Sequence, residues 1–172
     1  GKSLGVSNVT VRNYIDLLQG TFMLHTLPPY MSNVGKRMIK APKVYIADSG
    51  LTACLLQLQN FEQILGSPVI GSLWEQIVLT NLNGHFQSAQ FYFYRTSAGA
   101  EMDFVMEYKN KVFAIECKSS VSPALTKGAF NAIEDIQPSE TFIVAPVNEG
   151  WPVKRNIRVV SLTELIRSIH NK

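Results

Sequence analysis

Residues 101–118 read EMDFVMEYKNKVFAIECK and predict a β-hairpin whose two strands meet at Lys109-Asn110. Side chains alternate between the two faces of a strand, so each strand has one nearly apolar face. The apolar faces belong in the core and carry Met102, Phe104, Met106, Tyr108, Phe113, Ile115 and Cys117. The opposite faces gather charges at one end of the hairpin, namely Glu101, Asp103, Glu116 and Lys118. The hairpin therefore predicts both a core and a charged site.

The register of the hairpin follows from its two-residue turn. The turn predicts three cross-strand pairs: Tyr108 with Lys111, Asp103 with Glu116, and Glu101 with Lys118. Opposed β-carbons lie about 4.5–5.5 Å apart, which allows Asp103 and Glu116 to share a divalent cation. A slip by one residue is excluded, because it would turn Phe113 and Ile115 away from the core.

Two opposed carboxylates repel each other unless a cation compensates their charge. Lys118 supplies part of that compensation, and a metal ion would supply the rest. A surface cluster of salt bridges is the alternative interpretation. It explains Lys118 opposite Glu101, but it leaves Asp103 opposite Glu116 unfavourable.

Further helices and strands are predicted outward from the hairpin. Apolar periodicity and turn residues place helices at about 51–58, 69–82 and 125–136, and strands at 91–95, 101–108, 112–118, 141–145 and 157–160. Ser161 and Glu164 form the capping-box pattern of a terminal helix. This order predicts an α/β domain over residues 51–172.

Residues 1–50 predict a winged-helix segment that is truncated at its N-terminus. Ser7 is a favourable N-cap for a helix with an apolar stripe, and Gly20 closes that helix. The open side of this helix and the basic turn that follows it supply candidate DNA contacts: Asn8, Thr10, Arg12, Asn13, Lys36 and Arg37. Strands at about 21–30 and 43–47 flank the turn at 32–37, which is the predicted wing.

The charge distribution favours a polyanionic partner for the N-terminal segment. Residues 1–47 carry six Lys or Arg and one Asp, a net charge of +5, so a total of +3 leaves −2 for residues 48–172. Basic side chains near phosphates release counterions on binding, although ordinary solvated lysines remain the alternative. Cys54 and Cys117 lack zinc-ligand spacing. With no secretory signal and no apolar run long enough to span a bilayer, we expect a cytoplasmic protein without membrane contacts.

Asp103, followed by Glu116-Cys117-Lys118 on the next strand, resembles the D…ExK signature of the PD-(D/E)XK phosphodiesterases. The predicted order of helix, three strands, helix and strand also resembles their core. This resemblance implies a restriction-endonuclease-like fold, with a mixed sheet flanked by helices and preceded by the winged-helix segment. It also implies Mg²⁺ or Mn²⁺ as the cofactor.

The same resemblance assigns roles to individual residues. The metal ligands would be Asp103, Glu116, Glu75 through water, and the backbone carbonyl of Cys117. Lys118 would act catalytically and Glu101 would tune it. Arg95 and Lys127 are candidates for phosphate contacts. A partly exposed helix position is the alternative interpretation of Glu75.

Two stretches, PKVYIADSGL at 42–51 and GAEMDFV at 99–105, resemble the C-terminal region of a prokaryotic group of AAA-type ATPases. In that group an ATPase precedes a winged helix and a nuclease-like domain. Gly1-Lys2-Ser3 lacks the upstream strand and glycine of a P-loop, so no nucleotide site is expected in these residues. The resemblance implies DNA and an attached ATPase domain as partners.

Three functions remain open at this point. The first is a metal-dependent phosphodiesterase or nuclease directed to DNA. The second is a non-catalytic, nuclease-like module that binds DNA or protein and regulates the attached ATPase. The third is an oligomer-forming domain that uses Trp74, Trp151 and the aromatic strand 91–94. Single-stranded, duplex and branched DNA, and RNA, are all possible substrates.

Overall fold

A computed structural model describes residues 2–31 and 35–171 of the chain. Ser32, Asn33 and Val34 of the predicted wing lie outside the described residues, as do Gly1 and Lys172. Of the helices in the described ranges, none combines the length and apolar character needed to cross a lipid bilayer.

The described ranges contain α-helices and β-strands in an order close to the predicted one. The helices are α1 (Asn8–Gly20), α2 (Ser49–Leu55), α3 (Phe61–Leu65), α4 (Ile70–His85), α5 (Lys127–Ile136) and α6 (Leu162–His170). The strands are β1 (Leu24–Leu27), β2 (Lys43–Ile46), β3 (Gln90–Arg95), β4 (Glu101–Tyr108), β5 (Lys111–Cys117), β6 (Glu140–Val144), β7 (Trp151–Lys154) and β8 (Ile157–Val160).

Six strands form one mixed sheet in the order β3-β4-β5-β6-β8-β7. β5, β6 and β8 are parallel, and the remaining neighbours pair antiparallel. One face packs under α4 and α6, where the core includes Val78, Leu82, Phe104, Phe113, Leu165 and Ile169. The other face packs under α5, where it buries Val105, Ala114, Ala129 and Ala132. The predicted α/β fold with a mixed sheet flanked by helices is confirmed.

The hairpin has the predicted register from the turn to the middle of its strands. Lys109 and Asn110 both adopt positive φ, 48° and 61°, as a type I′ turn requires. Five consecutive pairs follow, from Tyr108↔Lys111 to Phe104↔Ile115. The described ladder ends there, so Asp103 and Glu116 are not a ladder pair.

A β-bulge in β4 explains why the ladder changes near Asp103. Tyr92 pairs with Val105 and Tyr94 pairs with Met102, so three residue steps of β4 oppose two steps of β3. Met102 consequently packs with Val105 in the cluster under α5. The prediction that Met102 shares a face with Phe104 is wrong, because simple alternation does not cross a bulge.

Part of the polar side of the hairpin is buried. Helix α5 covers the sheet face that strand alternation assigns to charged residues. Asp103 and Glu116 are only 7% and 6% exposed. The charged end of the hairpin is therefore enclosed rather than a solvated surface.

The N-terminal segment has the predicted helix followed by two paired strands. The Ser7 side chain accepts the Thr10 N–H and caps α1, and β1 pairs antiparallel with β2. All 13 residues of α1 are at least partly exposed, and Tyr14 of its apolar stripe is 60% exposed. The open side of α1 is accessible, as a groove-binding helix would need.

Described residues on either side of the predicted wing bond to β3, the edge strand of the large sheet. The Tyr30 N–H donates to the Phe93 carbonyl at 2.7 Å, and the Ile39 N–H donates to the Arg95 carbonyl at 3.0 Å. Residues that flank the predicted wing at 32–37 are therefore hydrogen-bonded to the large sheet.

Two short elements were not predicted from the sequence. Helix α3 is a single turn of five residues, capped by the Asn60 side chain, and is too short to show apolar periodicity. Strand β7 contains Pro152, which normally argues against a strand. It is tolerated because β7 is an edge strand.

The start of α5 is packed tightly against the β3–β4 turn. A β-carbon at Gly128 would lie 2.4 Å from the Gly99 carbonyl oxygen, so Gly128→Ala must displace backbone. We expect the free energy of unfolding to fall by about 2 kcal/mol in urea titrations. Gly84→Ala in α4 is the matched control. Its β-carbon meets no described atom within 4 Å, so it should gain up to about 1 kcal/mol. Equal midpoints for the two variants would contradict this tight packing.

Candidate metal centre

A cleft of about 370 Å³ lies where β4 begins and β5 ends, and we call it the carboxylate cleft. It is lined by Gly71, Glu75, Glu101, Asp103, Glu116, Cys117, Lys118, Ser119 and Thr126. Two strands of the hairpin and the N-terminal ends of α4 and α5 thus converge on one site. All six residues predicted as catalytic or metal-binding line this cleft.

Asp103 is held by the backbone of the neighbouring strand. Its Oδ2 accepts the Cys117 N–H at 2.9 Å, and its Oδ1 lies 3.2 Å from the Lys43 Nζ. Next to the bulge, the Asp103 carboxylate thus accepts a backbone N–H that a carbonyl of the neighbouring strand would accept in a regular ladder. Both oxygens of Asp103 are oriented by fixed donors.

Glu116 is the most unusual carboxylate of the cleft. Its Oε1 accepts from the Lys118 Nζ at 2.7 Å. Its Oε2 is buried and has no hydrogen-bond partner among the described residues. Burial raises the pKa of Glu116 to about 7, and the charge of Asp103 adds to this effect while Lys118 opposes it. The protonation state of Glu116 therefore changes near neutral pH.

Glu75 reaches the cleft from the second turn of α4. Its Oε2 accepts from the Tyr45 hydroxyl at 2.6 Å and lies 3.5 Å from the Lys43 Nζ. Burial, followed by the charge of Asp103, raises the pKa of Glu75 against the opposing effects of Lys43 and Tyr45. The carboxylate is thus an integrated part of the cleft rather than an isolated helix residue.

Glu101 has partners other than the predicted one. It pairs with the Arg95 guanidinium and lies 3.8 Å from the Lys43 Nζ, whereas Lys118 contacts Glu116. The predicted opposition of Glu101 and Lys118 is corrected accordingly, because the regular ladder stops before Glu101. Arg95, a candidate for phosphate contacts, has a raised pKa mainly because it hydrogen-bonds to Glu101.

Lys43 and Tyr45 of the N-terminal segment hydrogen-bond to carboxylates of the cleft. They stand two residues apart on β2, so their side chains leave the same face of the strand. Burial would lower the pKa of Lys43, but the charges of Asp103 and Glu75 outweigh it and raise the pKa. The cleft is thus assembled from both halves of the chain.

A family model described as a domain of unknown function, DUF4143, matches residues 70–165. The chain belongs to the DUF4143 family. A second model, also described as a domain of unknown function, DUF8612, matches residues 1–62. The DUF4143 match contains Glu75, Asp103 and Glu116, whereas Lys43 and Tyr45 fall in the DUF8612 match.

The relatives found among curated proteins are mycobacterial. Uncharacterized proteins of Mycobacterium bovis and Mycobacterium tuberculosis are each 29% identical over 165 residues, which cover 96% of this chain. The chain spans 37% of the length of each of these relatives. No solved structure matches it.

Sequence reasoning missed Lys43 and Tyr45, which contact Asp103 and Glu75 of the carboxylate cleft. A signal was present, because PKVYIADSGL is one of the two stretches that carry the family resemblance. Its K-x-Y spacing on a strand also places both polar side chains on one face. Their partners could not be read from the sequence, since Lys43 lies 60 residues before Asp103.

The structure places the predicted DNA contacts outside the cleft of this DUF4143 protein. Asn8, Thr10, Arg12 and Asn13 lie on α1, and all of them are partly or fully exposed. Lys36 pairs with Asp135 of α5 at 2.7 Å, and the Arg37 carbonyl accepts the Ser97 N–H. Lys127 is exposed at the first position of α5, next to Thr126 of the cleft.

The carboxylate cleft offers oxygen ligands that suit a hard divalent cation. Its carboxylate oxygens are the ligands that Mg²⁺ and Mn²⁺ prefer, and the unpaired Glu116 Oε2 requires a compensating partner. Burial raises the pKa of the Cys117 thiol, which leaves its backbone rather than its sulfur as a ligand. Within residues 2–31 and 35–171, no three His, Cys, Asp or Glu side chains form a ready-made metal site. The Lys43 ammonium stands among the carboxylates instead.

Proposed function

We propose that this chain is a DNA-directed module with a metal-dependent phosphodiesterase site of the PD-(D/E)XK type. The observation that carries the proposal is the buried Glu116 carboxylate, whose Oε2 lacks a partner among the described residues beside Asp103. Such a pair is unfavourable alone and favourable around a divalent cation. The order α4, β3, β4, β5, α5, β6 also supports a restriction-endonuclease-like core.

Asp103 and Glu116 would hold the ion, with the Cys117 carbonyl as a further ligand and Glu75 binding through water. A bound Mg²⁺ or Mn²⁺ supplies Lewis-acid polarisation and a water of lowered pKa. Asp103 is oriented for this role by the Cys117 N–H. Lys118, 2.7 Å from Glu116, would neutralise charge on the phosphate and orient the attacking water.

The basic N-terminal segment supports DNA as the substrate. Its net charge of +5 over residues 1–47 and the exposed polar side of α1 fit contacts with phosphates and a groove. In this proposal the α1–β1–β2 unit is a winged helix. The greater length of the mycobacterial relatives is compatible with a parent chain that carries an AAA-type ATPase.

A second candidate function is a non-catalytic module that binds DNA or protein and regulates the attached ATPase. It is favoured by Lys43, whose ammonium lies within 3.2–3.8 Å of three carboxylates and compensates them without a metal. In that case the cleft is a structural joint between the N-terminal segment and the sheet.

Calorimetric titration of Mn²⁺ into the chain at pH 8 distinguishes the two functions. We expect binding in the wild type and its loss in Asp103→Asn, because the variant removes a charged ligand. Asp16→Asn removes the same charge from exposed α1 and should bind normally. Cleavage of single-stranded, duplex and branched DNA, and of RNA, is then measured with Mn²⁺. The absence of binding at millimolar Mn²⁺, with or without DNA, would leave only the non-catalytic function.

A further inference from the structure

Lys43 lies between three of the carboxylates that line the cleft rather than against one partner. Its Nζ is 3.2 Å from Asp103 Oδ1, 3.5 Å from Glu75 Oε2 and 3.8 Å from Glu101 Oε1. The side chain is only 18% exposed, so water replaces these contacts poorly. One ammonium thus serves three acidic side chains at once.

These distances are longer than that of a short ionic hydrogen bond. Charged N–H···O pairs are commonly about 2.7–2.9 Å long, and Lys118 meets Glu116 at 2.7 Å. Lys43 has only one contact as short as 3.2 Å. It is a cation shared between oxygens, and two of these oxygens belong to Asp103 and Glu75, which the proposed function assigns to the metal ion.

The charge balance of the cleft favours a divalent ion that replaces the Lys43 ammonium over one that binds beside it. Glu75, Glu101, Asp103 and Glu116 oppose Lys43, Arg95 and Lys118, which leaves one net negative charge when all are ionised. A divalent ion that replaced Lys43 would bring this balance to zero. An ion that joined Lys43 would leave a net positive charge and place two cations among the same oxygens.

We propose that Lys43 occupies the cation position of the cleft and that a divalent metal ion displaces it, so that metal binding is coupled to release of β2. The inference rests on the proposed metal-dependent function. Lys43 is carried by β2, which pairs with β1 of the N-terminal segment and bears Tyr45 on the same face. Coupling is reciprocal, so a DNA-induced shift of this segment would in turn strengthen metal binding.

The first test compares Mn²⁺ affinities of the wild type and Lys43→Met by calorimetry at pH 8. Without the competing ammonium, the variant should bind on the order of tenfold more tightly. Lys40→Met is the control, because Lys40 is exposed and, unlike Lys43, is not among the described ion pairs with carboxylates of the cleft. Its affinity should equal that of the wild type. Equal or weaker binding by Lys43→Met overturns the displacement while leaving the metal site intact, whereas binding by neither protein overturns the proposed function as well.

The second test needs no substitution. Hydrogen exchange of the wild-type β2 amides, residues Lys43–Ile46, is measured with and without Mn²⁺. Displacement predicts faster exchange in β2 when Mn²⁺ is bound, with β8 in the sheet interior as an unaffected reference. Unchanged or slower exchange in β2 at saturating Mn²⁺ would overturn the proposal.

Discussion

Lys118→Met should lower the rate of Mn²⁺-dependent DNA cleavage about a thousandfold while Mn²⁺ affinity is retained or slightly increased. Groups that move protons or compensate charge in the transition state contribute roughly 10²–10⁴-fold. Lys118 is suited to this role because it is held 2.7 Å from Glu116 and remains 28% exposed toward the cleft. Single-turnover cleavage and calorimetry on the same protein separate the chemical step from metal binding.

Lys111→Met is the matched control for this prediction. Lys111 begins β5 at the hairpin turn, at the end of the strand opposite to Lys118. It removes one positive charge from the same strand without touching the carboxylate cleft, so its cleavage rate should stay near that of the wild type. A similar loss in both variants would point to general electrostatics instead of a role for Lys118. Undiminished cleavage by Lys118→Met would contradict the proposed mechanism.

Glu116→Gln should stabilise the metal-free protein at alkaline pH by about 3 kcal/mol. The folded-state pKa of Glu116 is raised to about 7 from an ordinary value of 4.5, and each pKa unit corresponds to about 1.4 kcal/mol. The folded state therefore binds more protons than the unfolded state between these values. Stability from the neutral carboxyl is present at low pH and is lost as pH rises toward 7.

The measurement is the difference in unfolding free energy between Glu116→Gln and the wild type at pH 5 and pH 9 in a chelating buffer. The difference should be small at pH 5, where Glu116 is protonated in the folded state, and large at pH 9. Glu134→Gln on the exposed side of α5 should show little change between the two pH values. With saturating Mn²⁺ the wild type should become more stable than Glu116→Gln, because the bound ion stabilises the folded wild type. A pH-independent difference for Glu116→Gln would show that its ionisation is not disfavoured by folding.

The hairpin could be predicted because its determinants are local. Alternating polarity sets the faces of β4 and β5, and a two-residue turn at Lys109 and Asn110 sets the register. The caps at Ser7 and Ser161 are local in the same way, since each side chain bonds a backbone group three residues later. These features placed Asp103 and Glu116 near one another before any tertiary contact was known.

The remaining parts of the cleft depend on contacts between distant segments. The bulge in β4 is defined by pairing with β3, so Met102 could not be assigned to its face from alternation alone. Lys43, which lies close to three carboxylates of the cleft, comes from β2, far from the hairpin in sequence. The partner of Glu101 depends on where the regular ladder ends. Periodicity within one segment carries no information about any of these contacts.

The hydrogen bonds that Pro28, Tyr30 and Ile39 make to β3 also affect whether the sheet can associate with other molecules. β3 is one border of the sheet, where the Phe93 N–H donates to the Pro28 carbonyl and the Phe93 carbonyl accepts from the Tyr30 N–H. A fragment that starts at residue 70 would leave these groups open as a template for intermolecular pairing. The other border, β7, is blunted by Pro152 and Lys154. By occupying hydrogen-bonding groups of the β3 edge, the N-terminal segment thus opposes self-association of the sheet.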